Sequence, residues 1–72
     1  MVIAEDENII RISQKEHQII RMIADGKTSP EMAESLGLAI PTIKWYRKKL
    51  KEKFNVASTA QLIRVAIEQH LV

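Results

Sequence analysis

Three positions in register, Ala33, Gly37 and Ile43, restrict this chain more than anything else in it. They fall inside Thr28–Phe54, TSPEMAESLGLAIPTIKWYRKKLKEKF, which reads as a short capped helix, a brief break and a longer, very basic helix. Two helices crossing at roughly 90–120° need a small residue where their backbones approach, and Ala33 is small. The first helix must stop at a residue that adopts φ > 0 without steric cost, and Gly37 supplies that. The second helix needs an apolar wedge turned back toward the first, a role that fits Ile43. A glycine at a helix end says little alone. The three in register, followed by a cationic helix, predict a helix-turn-helix.

At 72 residues the chain is long enough for one domain, near the lower limit for a self-standing core. It has no cysteine, so neither a disulfide nor a thiolate metal site can staple it. No run of about 18 apolar residues occurs, and the N-terminus lacks a basic-then-apolar signal pattern, so the expectation is a cytoplasmic protein with no membrane partner. The net charge is only +2, but its distribution is uneven. Between Thr42 and Phe54 lie Lys44, Arg47, Lys48, Lys49, Lys51 and Lys53 against the single acid Glu52. The remainder is mildly acidic. Such a field on one helix points to a polyanionic partner, the competing reading being an ordinary solvated face.

Residues 1–11, MVIAEDENIIR, show no sustained period and read as a lead-in or the remnant of an interdomain linker, with Ile9, Ile10 and Ile12 available to pack on the domain of residues 12–72. That domain is predicted to be all-α, a compact arrangement of four helices at about 13–25, 29–36, 40–54 and 58–69. Three capping boxes set the starts: Ser13 with Glu16, Thr28 with Glu31, and Ser58 with Gln61. Asp25-Gly26 ends the first helix, whose face carries Ile19, Ile20 and Ile23. Glu16 projects onto that same face as a half-buried carboxylate, with its cap role as the expected use. Met32, Ala33 and Leu36 form the inner face of the second helix. The third starts near Ala39, a poor cap, with Pro41 in its first turn. Ile43, Leu50 and Phe54 stack on its inner side, with Tyr46 at the margin. Leu62, Ile63 and Ala66 face inward on the fourth helix.

A helix-turn-helix divides its labour: phosphate contacts position the protein, and side chains at the front of the second helix read base edges. Lys44 and Lys48 lie on the outward side of the third helix, four apart, and can each donate to guanine O6 or N7. Trp45 between them can pack on a thymine methyl or sugar, or can sit as a rim residue over Met32. Thr28, Ser29 and Thr42 lie at helix starts, where backbone N–H groups favour phosphate. Arg47, Lys49, Lys51 and Lys53 fit phosphate or field roles better than sequence readout. Val65 lies off the inward stripe of the fourth helix, near Gln61 and Glu68; these three mark a candidate dimer surface, or Val65 is a scattered exposed residue. No catalytic, metal-binding or cofactor-binding residues are expected. His17 and His70 lack metal-ligand spacing and have no serine nucleophile nearby, so they read as surface or boundary residues.

From Ile12 to about Ile67 the sequence resembles the LuxR-type (GerE-type) DNA-binding domain. The family's Leu-Thr with a Glu three residues on is matched by Ile12, Ser13 and Glu16, and its Ile-Ala-x-Gly by Ile23-Ala24-Asp25-Gly26. Glu31-Met32-Ala33, Leu36-Gly37-Leu38, Thr42-Ile43-Lys44 and Lys53-Phe54-Asn55-Val56 continue the pattern at preserved spacing. The resemblance implies a four-helix domain with the third helix in the major groove, base contacts at Lys44, Trp45 and Lys48, and homodimerisation through the fourth helix. It implies an output domain of a response regulator or related transcriptional regulator, or a stand-alone relative. An upstream receiver or ligand-binding domain and RNA polymerase are the further candidate partners. Ala39 replaces the usual Ser cap and Tyr46 the usual His. Lys15 and Thr59 stand where Arg is common, which weakens any inherited ion-pair scheme around Glu16. Two other readings stay open: a sigma-like promoter-reading domain, and a helical protein-interaction module with a basic docking face.

Overall fold

The computed structural model describes residues 11–72 and contains four helices: α1 Gln14–Ala24, α2 Ser29–Leu36, α3 Ile40–Lys53 and α4 Thr59–Glu68. No strand occurs among the described residues. Each start is where the local chemistry places it. Ser13, Thr28 and Ser58 are N-caps in extended backbone, and each forms the reciprocal capping box with Glu16, Glu31 or Gln61. Ala39 heads α3 with no side-chain cap, and Pro lies in the first turn of both α2 and α3. The expected lead-in falls, up to residue 10, outside the described residues; Ile12 packs against the core.

The helices also stop in a common way. Just past each one a residue takes left-handed backbone: Gly26 (φ 85°), Gly37 (φ 68°), Asn55 (φ 55°) and His70 (φ 59°). The following N–H then reaches back five residues, Lys27 to Met22, Leu38 to Ala33, Val56 to Lys51 and Leu71 to Ala66, at 2.8–3.0 Å. Carbonyls that would otherwise be orphaned at the helix end are satisfied this way.

Helix α3 runs through the middle, packing against α1, α2 and α4, while α4 also packs on α1. The core is Ile19, Ile20 and Ile23 from α1, Met32 and Ala33 from α2, Ile43, Leu50 and Phe54 from the α3 segment, and Leu62 and Ala66 from α4. Ala33 is 7% exposed and Ile43 fully buried, so the small residue and the wedge sit where two crossing helices need them. Leu71 caps the base of this core, and its carbonyl is tied to His17 Nε2 on α1.

Candidate nucleic-acid interface

Because α3 buries Ile43, Leu50 and Phe54, helical geometry turns Lys44, Trp45 and Lys48 to the opposite side, and all three are exposed. Trp45 is 54% exposed, which is unusual for so large an apolar side chain. Its ring meets Tyr46 edge-on, centroids 5.0 Å apart, and Lys49 Nζ lies 4.8 Å from its centroid. A lone indole on a surface has many rotamers; these two contacts favour one. Trp45, Lys48, Lys49 and Glu52 line a shallow depression of about 320 Å³ beside the exposed ring.

The residues expected to touch phosphate divide into two groups. Thr28 is exposed at the start of α2, its Oγ1 accepting from the Glu31 N–H at 3.2 Å, and Thr42 is half-buried in the first turn of α3. Lys51 is half-buried on the flank of α3. Arg47 and Lys49, by contrast, are engaged within the protein. Arg47 donates to Ser29 Oγ at 3.3 Å and to Thr59 Oγ1 at 3.2 Å, joining the first residues of α2 and α4 across α3. Both partners are neutral, so the guanidinium keeps its whole charge beside two helix N-termini.

Lys49 turns toward Glu16, and so does Lys53. Glu16 is 2% exposed, deeper than the half-buried position expected of it. Its Oε1 accepts from the Ser13 N–H at 2.8 Å and from Lys53 Nζ at 2.7 Å. Its Oε2 is buried without a hydrogen bond, 4.0 Å from Lys49 Nζ. Lys53 Nζ also donates to the Arg11 carbonyl at 2.8 Å. Glu16 thus draws its counter-charges from α3, independently of the altered positions Lys15 and Thr59. The one signal available in the sequence was a carboxylate on an apolar face, which demands a cation from somewhere.

On α4, Gln61 spends its side-chain oxygen on the N–H groups of Ala57 (2.8 Å) and Ser58 (3.2 Å). Glu68 pairs with Arg64 at 3.5 Å, both exposed, and Val65 is half-buried between them. Gln61, Val65 and Glu68 do share one concave surface, together with Asn55, Val56, Ala57 and Arg64. Ile67, absent from the sequence-derived set, is 57% exposed. It follows Val65 by two residues and so lies nearly opposite it around the helix.

Among the described residues no group of three His, Cys, Asp or Glu is placed to hold a metal ion, and no helix is long and apolar enough to cross a membrane.

The sequence model of the family described as bacterial regulatory proteins, luxR family (GerE), matches residues 11–66. The transcriptional regulatory protein MctR of Rhizobium johnstonii is 36% identical over 61 residues, which is 85% of this chain and 28% of that protein. The response regulatory protein YgeK of Escherichia coli is 35% identical over 57 residues, 79% of this chain and 39% of its own length. Among solved structures, the Vibrio cholerae VqmA dimer without target DNA superposes with a TM-score of 0.85 at 26% identity, over 90% of this chain and 29% of that one. A complex of VqmA with ligand and DNA gives 0.82 at 27% identity, over 88% and 28%. The chain therefore spans well under half the length of each of these relatives.

Proposed function

This chain belongs to the LuxR family of bacterial regulatory proteins, and on that premise we propose that α3 enters the major groove of double-stranded DNA as the recognition helix of a transcriptional regulator's output domain. One observation carries the reading. The side of α3 opposite its buried Ile43–Leu50–Phe54 stripe presents Lys44, Trp45 and Lys48 to solvent, at the front of a helix bearing six cations and one acid. Lys44 and Lys48 donate to base edges, and the exposed ring of Trp45 packs on a thymine methyl or the sugar wall. Thr28, Ser29, Thr42 and Lys51 bind phosphate, helped by the N-termini of α2 and α3. Arg47 adds its unneutralised charge from between α2 and α4. The VqmA–ligand–DNA complex supports this use of the fold.

The domain of residues 12–72, with residues 1–11 as its lead-in, acts in the cytoplasm, has no catalytic role, and dimerises on DNA through Gln61, Val65 and Glu68 of α4. A receiver or ligand-binding domain controls it where the chain is part of a longer regulator, as the lengths of the relatives suggest.

The test begins with selection of bound duplexes from a random pool, which supplies a cognate site. On that site Lys44→Ala costs roughly 1–3 kcal/mol, with a smaller loss on unrelated duplex. Trp45 emission and the α3 amide NMR shifts both respond to duplex addition. Silence of both on saturating DNA would sink the major-groove assignment and leave the acidic-protein docking reading in its place.

A further inference from the structure

Two of the six cations on α3 converge on one buried carboxylate, an arrangement that a helix built only to hold phosphate has no use for. Lys53 Nζ lies 2.7 Å from Glu16 Oε1 and Lys49 Nζ 4.0 Å from Glu16 Oε2. Glu16 cannot follow either lysine outward. Its Oε1 is fixed by the Ser13 N–H and its side chain is 3% exposed. Each ammonium has a second hold: the Arg11 carbonyl for Lys53, and the ring of Trp45 for Lys49. To neutralise a phosphate, either lysine would have to leave a carboxylate that water cannot reach, and an uncompensated buried charge is costly. Among the described residues Lys44 and Lys48, exposed as Lys53 is, have no such restraint.

We propose that Glu16 is a selectivity device: by drawing Lys49 and Lys53 to the side of the recognition helix that faces α1, it lowers the number of phosphates the domain grips on any duplex. Sequence-independent affinity, which depends on phosphates neutralised, is held down, while Lys44 and Lys48 keep their reach to base edges. Lys49 acts in the same arrangement as a positioning residue for Trp45, holding the indole in one orientation before DNA arrives. The inference rests on the proposed entry of α3 into the major groove.

Glu16→Gln separates charge from structure, because Gln serves as well as Glu at the third position of a capping box. The salt dependence of binding is measured on a non-cognate duplex of about two helical turns, between roughly 50 and 200 mM salt. In Glu16→Gln the slope of log K against log salt becomes more negative by about 0.9–1.8, one to two further phosphates, and the Trp45 emission of the free protein shifts. Adding Lys49→Met to that variant takes back about 0.9 of the change. In the parent chain Lys49→Met alone leaves the slope unaltered, because that charge was already committed. An unchanged slope in a folded Glu16→Gln, judged by circular dichroism, overturns the inference. So does a loss of about 0.9 in the single Lys49→Met variant, an arm that decides the matter even where Glu16→Gln fails to fold. A parent chain indifferent to duplex DNA overturns the major-groove reading and this inference with it; binding whose salt dependence ignores Glu16 overturns this inference alone.

Discussion

Burial alone pushes the Glu16 carboxyl up. The hydrogen bonds from Lys53 and the Ser13 N–H and the charges of Lys53 and Lys49 outweigh that push, so the group titrates below its ordinary value near 4.5. With the folded value depressed, the unfolded chain takes up the proton first as the pH falls. The stability Glu16 contributes is therefore complete above about pH 5 and drains away as the pH drops through 4.5 toward the folded value. Glu31 is lowered in the same direction by its bonds from Thr28 but is fully exposed, so it adds only a shallow background. Urea midpoints recorded from about pH 6 down to pH 3 should fall steeply in the parent and much less in Glu16→Gln. Parallel curves for the two proteins would mean that the Glu16 carboxylate has no part in acid sensitivity. Half of this cluster could be read in the sequence. The Ser13–Glu16 box is a contact over three residues and announces itself locally. Lys53 lies 37 positions from Glu16, and only the crossing of α1 and α3 brings the two together.

Helix starts and helix ends differ in how openly the sequence declares them. An N-cap needs a particular side chain, so Ser13, Thr28 and Ser58 are all identifiable, and each stands at the head of a helix. A left-handed C-terminal residue needs only a tolerable backbone energy. Gly26 and Gly37 are visible for that reason, whereas Asn55 and His70 take the same conformation as residue types that enter it far less often than glycine and so signal it weakly. Gly37 is the critical one, because the turn between α2 and α3 sets the angle at which α3 leaves the core. A Cβ built there meets no heavy atom within 4 Å, so the demand is on backbone conformation and not on space. Gly37→Ala should thus lower stability by about 1–2 kcal/mol, the left-handed penalty of an L-residue. Gly37→Asn should lose less, since Asn tolerates that region, and urea denaturation with unchanged m-values would measure both. Equal losses for Ala and Asn would show that something other than φ is at stake.

For the assembled molecule the outward side of α3 followed directly from the sequence, because the helix has one apolar stripe and its opposite can only face water. The proposed dimer surface did not, because α4 leaves apolar side chains on two flanks. Val65 sits half-buried in a concave surface with Gln61 and Glu68, and Ile67 stands 57% exposed on the other side. Exposure alone would favour Ile67, but an interface core wants a pocket as well as an apolar anchor. The Val65 side has one, and the exposed Arg64–Glu68 pair beside it gives the polar rim that a self-complementary contact needs. On a duplex carrying two half-sites, Val65→Glu would place an unpaired charge at the centre of that contact, costing about 1–3 kcal/mol, or roughly tenfold to a hundredfold in affinity. Affinity for a single half-site should stay within twofold or so, since the proposed arrangement keeps α4 out of the groove. Ile67→Glu is the matched control and should leave both affinities in place. Gel-shift titrations on the two duplexes would distinguish the flanks, and the reverse pattern, with Ile67→Glu harmful and Val65→Glu neutral, would move the dimer contact to the opposite side of α4.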